Sequence, residues 1–230
     1  MRAQTPLPAP RPMLWPLRRA DSAIVNIAVL PDGRRRIKIR HAELKGVTPE
    51  MLAWWFGHIE GEMLYAGRRW PRYLVWHPRD HVSYDVVKRG DGRGNVVRGA
   101  RLHVREAFQR DPRNLLDVIV TVEHIDSDAA IIGSRVLGAS TLRLCNCFQR
   151  TQTGTRYASV MTIGSESWLG RCGLNWLLRS RILAGNQAHA WVRHHIEEVG
   201  NLENFPPAPY AAEGDPSPSK IGRGARRTAA

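Results

Sequence analysis

Read from the start, the alternation of apolar and polar positions describes strands. Residues 22–30 read as a strand, Pro31-Asp32-Gly33 supplies a turn, and 36–41 returns as a second strand. Thr48-Pro49-Glu50 then reads as a helix start. A threonine hydroxyl accepts from an otherwise unpaired backbone N–H, and Pro and Glu suit the first turn. That helix runs to His58, with Leu52, Trp55, Phe56 and Ile59 on one apolar face. The middle is strand-rich, over 73–76, 81–88, 96–108, 115–124, 136–149 and 155–163. Short turns between these segments predict an antiparallel sheet. Over 167–199 the spacing becomes helical, with Trp168, Leu174, Leu177, Trp191 and Val199 in an apolar stripe. Gly185-Asn186 marks a kink or a division in it.

This order predicts an α+β fold in which a curved antiparallel sheet wraps around a long C-terminal helix. Such an arrangement leaves an apolar cavity between the two, where a ligand can sit. Residues 21–205 are expected to form one domain. Residues 1–20 read as an irregular lead-in. Residues 206–230 are too rich in Pro, Ala, Gly and Arg to build a core, and read as a disordered basic tail.

Composition narrows the partners. The 230-residue chain has no apolar run long enough for a membrane helix, and its lead-in lacks the apolar centre of a secretory signal. Three cysteines are too few, and odd in number, for a disulfide framework, so a reducing cytoplasmic setting is expected. Cys145 and Cys147 fall on one side of a strand and read as small core thiols, with half of a metal site as the alternative. The formal net charge is +13, but it is scattered over Arg34-Arg35-Arg36, Arg68-Arg69 and the tail. Without a basic stripe or a binding motif, no specific nucleic-acid or membrane partner is expected. A charge-driven surface binder stays as a rival, and it predicts strong salt dependence.

Three features point to chemistry. Trp76-His77-Pro78-Arg79-Asp80-His81 puts two histidines and an aspartate within a few positions. His194 and Glu198 lie one helical turn apart, with His189, His195 and Glu197 close in sequence. Glu106 shares strand parity with Leu102, Val104 and Phe108, so it points to an apolar face, where an unpaired carboxylate is costly. Each has an ordinary reading as a polar turn, a solvated helical pair or a bulge. Together, two histidines and two glutamates make a nitrogen and oxygen donor set suited to zinc.

Tyr73-Leu74-Val75-Trp76-His77-Pro78-Arg79-Asp80-His81, Glu106 and His194-His195-Ile196-Glu197-Glu198-Val199-Gly200-Asn201-Leu202-Glu203-Asn204-Phe205 resemble the 2,4-diacetylphloroglucinol hydrolase and phloretin hydrolase family. The resemblance spans about residues 37–207, and over 107–168 it is one of strand pattern only. It implies a helix-grip fold of the Bet v 1 and START kind. It implies a hydrolase that cleaves the carbon–carbon bond between an acyl group and a phloroglucinol-like ring, or a related β-diketone. It also implies one Zn2+ per chain, held by His81, Glu106, His194 and Glu198. His77 is the alternative to His81, which is preferred because Tyr73 then falls where the family has a substrate-binding tyrosine. Tyr157 corresponds to a second such tyrosine, and His77 is left as a proton carrier. Where the family has an asparagine soon after its first ligand histidine, this chain has Tyr84 or Asp80, which leaves the substrate open. The implied partner is a small aromatic acyl ketone, and a homodimer is allowed. A non-catalytic binder of apolar molecules on the same fold is the alternative.

Overall fold

A computed structural model of the chain describes residues 7–90, 96–136, 138–168 and 170–213. Strands β1 (Ile24–Val29) and β2 (Arg35–Arg40) pair as a hairpin, and Gly33 supplies the positive φ that its turn needs. After the short β3 (Leu44–Lys45), helix α1 (Pro49–Gly57) begins where the Thr48 hydroxyl accepts from Met51 N–H at 3.3 Å. A small ribbon of β4 (Glu62–Tyr65) and β5 (Arg68–Pro71) leads into a single helical turn, α2 (Arg72–Trp76). The meander β6 (His81–Lys88), β7 (Arg101–Ala107), β8 (Leu115–Ile125), β9 (Ala129–Val136), β10 (Ala139–Arg150) and β11 (Gly154–Ile163) follows. Helices α3 (Asn175–Arg181), α4 (Asn186–Asn201) and α5 (Pro207–Glu213) complete the described chain.

Among the described residues, one nine-stranded antiparallel sheet runs β1-β2-β11-β10-β9-β8-β7-β6, with β3 also on β11. Its two-residue side-chain period decides the inner face. On β11 that face carries Thr155, Tyr157, Ser159, Met161 and Ile163, and on β10 Leu142, Leu144, Asn146 and Phe148. α4 lies across it, with Trp191, Val192 and Ile196 packed among Ile37, Leu142 and Met161. This is the helix-grip α+β arrangement.

The second half of α4 is buried all round, which no amphipathic pattern predicts. The lead-in explains it. Trp15 packs edge-on against Phe205, and Arg18 pairs with Glu203 at 2.7 Å. A Cβ at Gly200 would collide with the Arg18 side chain. Residues 7–19 carry no regular element and pack along the helix.

Several expected elements differ. The 73–76 segment is the helical turn α2, not a strand; a short apolar run carries no period that separates the two. The expected strand 136–149 is β10 with a later start, and 129–136 is a further strand, β9, that pairs antiparallel with it. Gly133 weakens that pattern, yet a side chain there would press on Glu123 and on the Leu142 carbonyl, so the glycine allows close approach. The 167–199 helix is divided at Gly185, and Trp168 and Leu177 are exposed rather than part of a buried stripe. Residues 207–213, expected as tail, instead form α5, with Tyr210 edge-on to Trp54; 214–230 lie outside the described residues. Cys145 and Cys147 are not core thiols. They lie on the outer face, the first half-buried and the second exposed, with their sulfurs 3.4 Å apart. Among the described residues, no helix is long and apolar enough to cross a membrane.

Candidate metal centre

The β6–β7 ladder places His81 directly opposite Glu106, so both side chains project from one face. His194 and Glu198, one turn apart on α4, come down onto the same point. His81 Nε2 lies 3.7 Å from Glu106 Oε1 and 3.4 Å from Glu198 Oε2. His194 Nε2 lies 3.7 Å from Glu106 Oε2 and 3.7 Å from Glu198 Oε2. Both Nε2 atoms are buried, without a hydrogen-bond partner among the described residues. Ligands at zinc distances of about 2.0–2.1 Å stand roughly 3.3 Å apart in a tetrahedron, so these edges are close to what one ion needs.

The other ring nitrogens are already engaged, as ligand histidines require. His81 Nδ1 donates to the Tyr73 carbonyl at 2.6 Å, and His194 Nδ1 to Asp80 Oδ2 at 3.2 Å. Asp80 Oδ2 also accepts from Gln109 N–H at 2.9 Å. Tyr73 stacks on His81, with ring centroids 4.1 Å apart, and its hydroxyl donates to Glu106. Charge in the cluster is unbalanced toward the negative. Burial works against protonation of His194, yet the Asp80 hydrogen bond and the Glu198 and Glu106 charges raise it to about 9. Burial likewise opposes the Glu198 charge, but His195, His81 and His194 hold its pKa well below the usual carboxylate value. A divalent cation would satisfy both orphaned nitrogens and both carboxylates.

The cluster opens on a cavity with about 930 Å³ of space not filled by atoms, part of it open to solvent. Its walls are apolar, including Phe56, Trp76, Val118, Val120 and Ile132. Polar groups on the wall are Tyr73, Tyr84, Glu106, Asn146, His195 and Glu198.

Of the residues singled out in the sequence, His81, Glu106, His194 and Glu198 meet, and Tyr73 touches two of them. His77 does not line the cavity. Its Nδ1 accepts from Asp80 N–H at 3.2 Å, and its Nε2 donates to Glu197 at 3.1 Å. His77, Asp80 and His194 form a second close group, but there hydrogen bonds engage both nitrogens of His77. Tyr157 stands behind the wall, fully buried with its hydroxyl unpartnered, and His189 faces outward. Sequence reading passed over His41, Asn146 and Ser159. The available signal was a serine and an asparagine breaking otherwise apolar inward rows on β10 and β11.

His77 also gives a pH dependence. Burial pushes it from 6.5 down to about 4, with the neighbouring His194 acting in the same direction. The folded ring stays neutral while the unfolded chain takes up a proton. Stability is therefore full above 6.5 and is lost as pH falls to 4, by on the order of 3 kcal/mol at ~1.36 kcal/mol per unit. Urea melts across that window are expected to show the loss, with a shallower slope in His77→Gln. Equal slopes in the two proteins would remove His77 as the cause.

No curated protein matches the sequence. Solved structures align at low identity. Ara h 8.0201 has a TM-score of 0.47 and 9% identity over 76% of this chain and 99% of its own. The KanY protein has 0.47 and 11%, over 80% and 97%. Protein NE0264 from Nitrosomonas europaea has 0.44 and 13%, over 80% and 99%. The DAPG hydrolase PhiG domain model matches residues 23–211, which include the whole cluster and the cavity walls, and the chain belongs to that hydrolase family.

Proposed function

We propose that the chain is a zinc-dependent hydrolase that cleaves the carbon–carbon bond between an acyl group and a phloroglucinol-like ring. One observation carries the reading: the Nε2 atoms of His81 and His194, without hydrogen-bond partners among the described residues, face Glu106 and Glu198, which line an apolar cavity. The four residues would hold the ion, and a donor set of two imidazoles and two carboxylates suits zinc. When bound, the ion supplies Lewis acidity that polarises the acyl carbonyl and activates water.

The chain's own residues do the rest. Val118, Val120 and Ile132 hold the ring and exclude water from it, and Phe56 and Trp76 offer aromatic faces. The Tyr73 hydroxyl donates its hydrogen to Glu106 and keeps lone pairs that would accept from a ring hydroxyl. The Tyr84 hydroxyl is buried on the wall without a partner, free to meet a ring hydroxyl. His195 replaces His77 as the non-ligand histidine on the cavity wall, where its Nδ1 holds Glu198. Water's oxygen ends on the acyl carbon as a carboxylic acid, and the ring carbon leaves with a proton. Three free cysteines support a cytoplasmic location.

The test is acid release from a panel of acylphloroglucinols, before and after chelation. Acid and deacylated ring are expected in equal amounts, abolished by chelation and restored by zinc. No turnover across acyl phenols and β-diketones would defeat the hydrolase reading in favour of a ligand binder. Turnover indifferent to chelation would defeat the zinc part alone.

A further inference from the structure

Ser159 is the polar interruption in the inward row of β11, and it is 1% exposed. Its hydroxyl sits between two imidazoles, 2.8 Å from His195 Nε2 and 3.1 Å from His41 Nε2. On the far side of the ring, His195 Nδ1 lies 2.5 Å from Glu198 Oε1. The other oxygen, Oε2, is the one that faces His81 and His194, at 3.4 Å and 3.7 Å. The two oxygens of Glu198 thus have separate tasks.

The protons in this chain can be assigned. An ionised carboxylate only accepts, so His195 Nδ1 carries the hydrogen. In a neutral ring Nε2 is then an acceptor, and the Ser159 O–H donates to it. The serine oxygen keeps a lone pair for His41 Nε2–H. His41 is itself 6% exposed, and burial holds it well below the ordinary imidazole value, so it is neutral and carries a single N–H. Rings pack around the chain. Trp191 stacks on His195 with centroids 4.8 Å apart, and His41 meets it edge-on at 5.4 Å. Ser159 supplies the one hydrogen bond that tells the two orientations of the His195 ring apart at Nε2. A flipped ring would present carbon to Glu198 Oε1 and free the carboxylate to rotate.

We propose that Ser159, bridging His41 and His195, is a positioning residue that sets Glu198 as a one-oxygen donor to the four-residue cluster and so tunes its metal affinity. The inference rests on the metal-binding part of the proposed function and not on turnover.

The experiment measures zinc and cobalt(II) affinity of the full chain by competition with a chromophoric chelator, together with the visible spectrum of the cobalt form. Ser159→Ala is expected to bind about 10–100-fold more weakly, the range for loss of a group behind a ligand. Its cobalt spectrum should change, while melting of the chelated protein falls only by the few degrees that the lost hydrogen bonds to His41 and His195 account for. Ser159→Thr, which keeps the hydroxyl, should restore affinity and spectrum. Equal affinity and spectrum in Ser159→Ala and wild type would overturn the proposal. So would a loss of affinity matched by an equal fall in stability of the chelated form in both variants. Wild type that binds metal but hydrolyses no acyl phenol defeats the hydrolase reading and leaves this one standing. Wild type that binds neither metal defeats this one.

Discussion

Replacing His81 or Glu106 with alanine is expected to strip the metal from a protein that otherwise carries about one ion per chain. The reason is geometric. His81 supplies one nitrogen and Glu106 both carboxylate oxygens, at 3.4–3.7 Å from their neighbours, and no other side chain among the described residues takes their place. If a four-ligand site is worth about 10–16 kcal/mol, one ligand is worth roughly a quarter of that, or about 10²–10³-fold in affinity. His77→Gln is expected to keep its metal, since His77 spends its nitrogens on Asp80 and Glu197. Elemental analysis after dialysis reads all three variants. Metal lost from His77→Gln and kept in His81→Ala would exchange the roles of the two histidines.

Chelation is expected to lower the melting temperature by about 8–16 °C. An ion present at a thousandfold its dissociation constant stabilises the folded state by about 4 kcal/mol, and each kcal/mol moves a domain of this size by roughly 2–4 °C. The direction follows from what the ion leaves behind. Glu106 and Glu198 are then close together in a largely buried site, beside two imidazole nitrogens without partners. Glu106→Gln removes one of those charges, so the chelated variant should melt above the chelated wild type. Scanning calorimetry with and without chelator checks both statements. An unchanged melting temperature on chelation would mean that the cluster holds no ion in solution.

Much of the site was legible before any fold was known, for a local reason. His194 and Glu198 share a helix face by spacing, and Glu106 shares strand parity with Leu102 and Val104. Neither statement needs a partner segment. The choice between His77 and His81 was not local. Both sit in one short stretch, and only the register of β6 on β7, which pairs His81 with Glu106, separates them. Missed elements failed in the same way. β9 contains a glycine that makes sense only once Glu123 and Leu142 lie against it, and α2 is an apolar run too short to show a period.

The sequence by itself determined the opening hairpin, the capped first helix, the antiparallel character of the meander, the C-terminal helix and the residue types of a nitrogen and oxygen metal site. These depend on periodicities of two or 3.6 residues and on side-chain chemistry, both of which are read within a single segment. Tertiary structure alone decided which histidine faces the glutamates, that the lead-in buries the outer side of α4, and that Ser159 joins His41 to His195. Each of these joins residues far apart in the chain. No local pattern encodes such meetings, because they are set by strand register and by the way the helix docks into the curve of the sheet.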